Sequence, residues 1–255
     1  MERTDKRAFV YRVFESIAPA YDRMNTLLSF GAHKRWRRIM LEMMAVRPGS
    51  RALDVATGTG DLALALRRAV GAAGEVVGLD FSPAMLARAR EKAARAGLAD
   101  IVWVEGDALA LPFPDGRFDY ATIGFALRNV PDLDRALAEM ARVVRPGGLV
   151  VSLELSKPVV PGFREIYYVY FERMLPLLGR WFARRYEEYR WLPESLRGFP
   201  DHKGLAARFV RAGLTDVRVR LLFGGIAAVH VGRKPGGEAP GGAVGGSAEG
   251  GTVLF

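Results

Sequence analysis

Cysteine is absent from all 255 residues. Its absence excludes disulfides, thiolate metal sites, CxxC redox chemistry and a cysteine nucleophile together. Histidine is almost absent too. His33, His202 and His230 are too few and too far apart for a histidine-built cluster, so no metal is expected. No stretch approaches the 18 or so consecutive apolar residues that span a bilayer. The first residues, MERTDKR, lead into mixed sequence instead of the apolar core of a signal peptide, so the expectation is a cytoplasmic protein. GxSxG, HExxH and P-loop patterns are also missing, and with them the hydrolase and NTPase readings.

Charge is plentiful and unbalanced: 37 Lys and Arg against 28 Asp and Glu leave +9. Such a surplus favours a polyanionic neighbour, either nucleic acid or an anionic membrane surface, although a GC-rich genome that writes Arg for Lys produces it as well. Nucleic acid is the weaker choice and is not expected as a partner. There is no RNA-binding module and no interleaved basic–aromatic strand, and no cysteine for a covalent route to C5 of a pyrimidine.

Strand-like and helix-like patterns alternate along the chain. Arg51–Val55, Glu75–Leu79, Ile101–Glu105, Phe118–Ile123 and Gly148–Leu155 are short β-rich runs, with helical patterns at Asp61–Val70, Pro83–Ala96 and Asp132–Val144. That alternation predicts a parallel sheet covered by helices on both faces, with right-handed connections and ligands outside the strands' carboxyl ends. Thr215–Phe223 and Ala228–Lys234, separated by Gly224-Gly225, predict an antiparallel hairpin at the sheet edge. The expected layout is a helical flap over residues 1–46 and an α/β domain over 47–234, with an aromatic helical lid inserted at 159–200. A Gly-rich tail over 235–255 cannot bury enough surface to order itself.

The first strand runs straight into LDVATGTGDLA. Gly58-x-Gly60-x-x-Ala63, with Asp80 ending the second strand 20 residues after Gly60, fits the dinucleotide fingerprint. Two carboxylates argue against a diphosphate. Asp54 precedes the glycines, and Asp61 sits where a pyrophosphate would meet the helix N-terminus, which holds anions through free N–H groups and a positive dipole. A ligand with an ammonium and a sulfonium but no phosphate, S-adenosyl-L-methionine, suits them better; as a plain structural residue, Asp61 would cap its helix. Asp80 is then placed to accept both ribose hydroxyls, since Ser82-Pro83 already supplies the cap of the next helix. Asp107, in the Gly106-Asp107-Ala108 turn after the third strand, offers an acceptor and a neighbouring N–H to the adenine edge. A nicotinamide oxidoreductase is disfavoured by the acidic loop and by the lack of a Tyr-x-x-x-Lys pair.

GTGD, the acid after the second strand, GDA–LPF–D–FD and RPGG before the fifth strand together resemble class I S-adenosylmethionine-dependent methyltransferases. More narrowly, VFESIAPAYDRMNTLLSFGAHKRWR (13–37), TIGFALRNVPD (122–132) and LELSKP (153–158) resemble the ubiquinone/menaquinone biosynthesis C-methyltransferases, over about residues 8–234. Two departures stand out: Ala126 occupies a position that is usually Gly, and the Gly-rich tail has no counterpart. The resemblance implies a Rossmann-like, mostly parallel seven-stranded sheet with an antiparallel last strand. It places cofactor contacts at Thr59, Asp80, Asp107, Ala108 and Gly124; the reading of the glycine loop itself adds Gly58, Gly60 and the carboxylate of Asp54. The resemblance implies methyl transfer to a ring carbon of a polyprenylated quinol, most directly in the menaquinone branch. A benzoquinol of ubiquinone synthesis or another small molecule is the alternative substrate, and RNA comes last.

A carbon nucleophile makes a special demand. A quinol ring attacks readily only once a hydroxyl proton leaves, so the candidates are those near the fourth strand's carboxyl end and on the flap. Arg128 would hold the phenolate or orient a water, and Asn129 would bond a quinol oxygen; as structural residues they would be a salt bridge and a helix cap. Tyr21, Asp22, Asn25 and His33 fall on the flap, where a neutral His33 or Asp22 suits a base. Read structurally, His33 would be a cap or core residue. Phe163–Leu192, rich in aromatics with Arg164, Arg173, Arg180, Arg184, Arg185 and Arg190, is expected to form the lid and to meet anionic headgroups, giving a peripheral contact at the inner face of the membrane. The sequence is also compatible with a homodimer.

Overall fold

A computed structural model describes residues 10–13, 15, 16, 18, 21–162, 167 and 193–236. Most of the expected lid, including the six arginines of Phe163–Leu192, and residues 237–255 of the tail lie outside the described residues.

Two helices, α1 (Tyr21–Leu28) and α2 (Ala32–Met44), precede β1 (Arg51–Val55). The chain then alternates through α3 (Asp61–Val70), β2 (Glu75–Asp80), α4 (Pro83–Arg95), β3 (Val102–Glu105), β4 (Phe118–Gly124), α5 (Leu133–Val143) and β5 (Val144–Leu155). It closes with α6 (His202–Arg211), β6 (Thr215–Leu222) and β7 (Ala227–Arg233). The seven strands form one sheet in the order β3-β2-β1-β4-β5-β7-β6. β7 runs antiparallel to both of its neighbours, and the other pairings are parallel.

Local chemistry sets the boundaries. Ser82 caps α4 by accepting from the Met85 N–H at 3.2 Å, with Pro83 in the first turn. Asp132 caps α5 and Asp201 caps α6 in the same way. Arg67 and Arg68 fill the last turn of α3, where the helix dipole favours cations. Strand residues alternate between two cores. Leu53 and Val55 face Leu137 and Met140 of α5 together with Leu205 and Phe209 of α6, while Ala52 faces the side held by Met40, Met44, Leu62 and Leu66. The α6 helix had no place in the sequence-based layout. Its signal was available: an Asp201 cap followed by apolar Leu205 and Phe209 one turn apart.

The sheet's strand order reverses between β1 and β4, and the chain is unusual at that point. Ala56, just past β1, and Phe125, just past β4, adopt φ of 51° and 57°, a left-handed conformation that costs a residue with a side chain roughly 1 kcal/mol or more. Both line the cavity described next.

Candidate functional site

A cleft opens where the carboxyl ends of β1, β2, β3 and β4 converge. Such a switch point is where open α/β sheets bind ligands. Its floor and walls come from Ala56 and Gly58 of the glycine loop, Asp80 and Phe81 after β2, Gly106–Leu109 after β3, and Gly124–Ala126 with Asn129–Pro131 after β4. Val10 and Tyr21 cover it from the N-terminal segment.

The glycine loop is held close to its neighbours. Gly60 has φ +82°, and a Cβ there would stand 2.7 Å from the Trp103 ring of β3, so only glycine fits. Beside it, a Cβ on Gly58 would lie 4.0 Å from Tyr21 Cε1, which puts the flap's tyrosine directly over the loop.

Asp80 is almost completely buried, and its two oxygens accept the N–H groups of Gly58 at 2.7 Å and Ser82 at 3.0 Å. Burial pushes its carboxyl up to about 6, against the pull of the Ser82, Gly58 and Phe81 amides. Asp107 accepts from the Leu109 N–H at 2.9 Å, a tight turn that presents the 106–109 backbone to the cleft.

Not every residue picked from the sequence lines the cleft. The structure brings Tyr21, Gly58, Asp80, Asp107, Ala108, Gly124 and Asn129 together around it, while Asp54, Thr59, Gly60, His33 and Arg128 stand behind its wall. Asp54, within β1, is buried and accepts the Thr57 and Thr122 hydroxyls at 2.6 and 2.9 Å. Burial raises it to about 6. Arg128 forms a buried ion pair with Glu154 of β5 and donates to the Phe125 carbonyl at 2.7 Å. His33 is buried in α2, with Nδ1 2.6 Å from the Ser29 hydroxyl. Its burial, reinforced by Arg37, lowers it to about 4, so it is neutral at physiological pH.

Asp61 reads differently in three dimensions. Burial alone would raise its carboxyl, but Arg37 at 2.9 Å and Lys92 at 2.5 Å more than offset that and hold it below the ordinary value. Its charge is therefore cancelled locally, and the repulsion of a diphosphate inferred from the sequence is largely screened. The carboxylates that face the cleft are Asp80 and Asp107. Lys92 also reaches Asp22 at 2.7 Å and the Thr59 hydroxyl at 3.1 Å, while Thr59 donates to Asp22 at 2.6 Å. At the other end of α4, Glu15 accepts from the Ser82 hydroxyl at 2.5 Å and the Ala84 N–H at 3.2 Å. The N-terminal segment is thus fastened to α4 at both ends, across the glycine loop. Lys92 and Glu154 were not singled out from the sequence, because their partners lie tens of residues away.

The family model of the ubiE/COQ5 methyltransferases matches residues 1–234. The chain belongs to the ubiE/COQ5 methyltransferase family. Demethylmenaquinone methyltransferase of Shouchella clausii is 51% identical over 230 residues, covering 90% of this chain and 98% of that protein. The enzyme of the same name from Staphylococcus aureus is 50% identical over 225 residues, covering 88% and 92%. Among solved structures, a SAM-dependent methyltransferase from Thermotoga maritima, described as a possible histamine N-methyltransferase, superposes at TM-score 0.65 and 20% identity, covering 88% of this chain and 99% of that one. The [4+2]-cyclase SpnF superposes at TM-score 0.64 and 20% identity, covering 89% and 96%. These two share the fold: a Rossmann-like class I sheet. As a member of the family, this chain is an S-adenosylmethionine-dependent C-methyltransferase.

The residues of the cleft fit that cofactor. A buried carboxylate at the end of β2 suits a pair of ribose hydroxyls, the 106–109 turn suits an adenine edge, and Gly58 leaves room for the backbone to approach a ligand.

Proposed function

We propose that this protein methylates a ring carbon of a polyprenylated quinol, converting demethylmenaquinol to menaquinol. The observation that carries the reading is the pair of near full-length relatives of that name at about half identity. The largely apolar, flap-covered cleft supports it, with the polar groups of Tyr21 and Asn129 among its lining.

S-adenosylmethionine supplies an electrophilic methyl on a sulfonium. The chain's task is alignment and control of the acceptor's proton. Asp80 fixes the ribose, the Asp107–Ala108 turn fixes the adenine, and the Gly58–Gly60 backbone fixes the remainder. A quinol hydroxyl resembles tyrosine with a pKa of about 10, so only about one molecule in a thousand is ionised at pH 7, and roughly 4 kcal/mol of the barrier lies in deprotonation. Tyr21 and Asn129 are placed to hydrogen-bond the oxygen that loses its proton. Burial raises the Tyr21 phenol above its ordinary value, so it stays protonated and can donate. The bound sulfonium would supply the methyl for the new ring C–CH₃ bond as its own C–S bond breaks, and transfer of the ring proton to the oxygen would restore the aromatic quinol. Arg128 acts at one remove: its guanidinium, committed to Glu154 and to the Phe125 carbonyl, holds the turn that lines the cleft. His33 supports the α1–α2 junction. Substrate delivery implies contact with an anionic membrane.

The test is methyl transfer from labelled S-adenosylmethionine to chemically reduced demethylmenaquinone, with the oxidised quinone, a benzoquinol and bulk RNA in parallel. Label confined to the reduced naphthoquinol is expected. Label in RNA, or in the oxidised quinone alone, would overturn the assignment.

A further inference from the structure

Two phenylalanines are held out into solvent by backbone that side chains normally avoid. Phe30, between α1 and α2, is 84% exposed at φ 49°, and Phe223, between β6 and β7, is 68% exposed at the same φ. Single exposed apolar residues are commonplace. A large aromatic in the left-handed region is not, and here it occurs at two exposed turn tips.

Both tips lie at one rim. β6 ends at Leu222 beside Ala227, which pairs with Leu155 at the carboxyl end of β5, so Phe223 stands at the carboxyl edge of the sheet. The Val159 N–H bonds the Gly224 carbonyl at 3.1 Å, which places half-exposed Val159 and Val160 beside it. α2 runs against the strands. Trp36 meets Phe125, just past the carboxyl end of β4, at 6.1 Å between ring centroids, while Arg47, beyond the far end of α2, donates its N–H to the Tyr120 hydroxyl lower in the same strand. Phe30, six residues before Trp36, therefore projects past the carboxyl rim, with Leu27 exposed one turn earlier. The cleft opens at this rim.

Cations accompany the apolar tips. Lys34 and Arg35 are exposed in the first turn of α2 immediately after Phe30, and Lys157 precedes Val159. Aromatic tips flanked by basic side chains match the interface of an anionic bilayer, with rings at headgroup depth and cations on lipid phosphates. The surplus of +9 favours the same partner.

We propose that the carboxyl rim, through Phe30, Leu27, Val159, Val160 and Phe223 with Lys34 and Arg35, is the face that docks on an anionic lipid bilayer, so that the cleft opens towards the membrane. The inference rests on the quinol reading above for its purpose: the isoprenoid tail stays in the bilayer while the ring enters the cleft. Phe30 and Phe223 sit on turns of the described fold, outside the Phe163–Leu192 segment to which sequence reasoning assigned the membrane contact.

The test is flotation of the full-length protein with phosphatidylcholine vesicles and with vesicles containing phosphatidylglycerol. The wild type should float with the anionic vesicles. Phe30→Ser combined with Phe223→Ser should weaken partitioning at least about tenfold, the order expected for withdrawing two rings from an apolar phase. Lys34→Gln with Arg35→Gln should abolish the preference for anionic vesicles. Each double variant should keep the wild-type melting temperature and the wild-type rate on a short-chain quinol free in solution. Absence of wild-type flotation, or unchanged flotation of the phenylalanine variant, overturns the proposal. So does a change in sedimentation from dimer to monomer in that variant with flotation intact, which would assign the tips to a second copy of the chain. Flotation without any quinol methylation would instead defeat the functional reading and leave the docking face standing.

Discussion

Arg128 and Glu154 form a buried ion pair that ties the turn after β4 to the end of β5. Glu154 also accepts the backbone N–H of Arg128 at 3.3 Å and of Leu155 at 2.8 Å, and Arg128 in turn holds the carbonyl of Phe125. A strained residue at the cleft is thus fixed by a charged pair outside it. Strain of this kind persists only where its surroundings over-determine it.

That arrangement predicts matched phenotypes. Removing one partner leaves the other charge buried alone, at a cost of about 3–5 kcal/mol, whereas replacing both costs less than the sum. Urea unfolding of Arg128→Met, Glu154→Gln and the double variant measures the coupling. In the methyl-transfer assay, Glu154→Gln should lose activity to about the same extent as Arg128→Met. A far larger loss of kcat in Arg128→Met than in Glu154→Gln would show the guanidinium acting on the acceptor itself.

The contrast between what the chain displays and what it conceals follows from range. The strands from Arg51 to Leu155, the cap at Ser82, the helix opening at Asp132 and the β6–β7 hairpin all rest on neighbours within a few residues, and the structure has them near their expected bounds, although β5 begins at Val144 and not at Gly148. The pairing of Asp61 with Arg37 and Lys92, and of Arg128 with Glu154, depends on side chains that only the folded sheet brings together. Motif reading found the acids around the cleft; it had no means of telling which were already neutralised. The resemblance to a family located the site, and the geometry distinguishes the residues that face it from those behind its wall.

Asp54 makes a prediction about pH. Its carboxyl, ordinarily near 3.8, is raised to about 6 by burial in the fold. The folded state therefore binds this proton more tightly than the unfolded chain. The contribution is fully stabilising below about 4 and is lost as pH rises through 6, a swing of about 3 kcal/mol. Asp54→Asn carries no such charge. Urea unfolding at pH 4.5 and 7.5 should find the variant gaining on the wild type as pH rises; a pH-independent difference would contradict the assignment.

Asp80 ties pH to cofactor binding. With its carboxyl raised to about 6, the ionised form that accepts ribose hydroxyls dominates only above that pH. Calorimetric affinity for S-adenosylmethionine should be flat above pH 7 and fall about tenfold per pH unit below 6. Asp80→Asn should bind roughly 10–100-fold more weakly at pH 7.5, the loss expected for hydrogen bonds to a charged group, and should show no such pH dependence. A wild-type profile that stays flat to pH 5 would place the ribose elsewhere.

Lys92 holds the flap. It bonds Asp22 of α1, Asp61 of α3 and the Thr59 hydroxyl of the glycine loop, so a single ammonium fastens the N-terminal helices to the cofactor side of the cleft. Lys92→Met keeps much of the stem's packing and removes the charge. Asp61 retains Arg37 at 2.9 Å, so α3 should be undisturbed, while Asp22 keeps only Thr59. Hydrogen exchange should quicken across residues 21–28 and remain unchanged in β1 and β4. Because Tyr21 covers the glycine loop, S-adenosylmethionine should dissociate several-fold faster in stopped-flow measurements, with a melting temperature close to the wild type's. Partly exposed ion pairs are screened by salt, so raising sodium chloride from about 0.05 to 0.5 M should speed dissociation from the wild type and hardly alter the variant. Equal salt sensitivity in the two would mean that the flap is held by its apolar contacts alone.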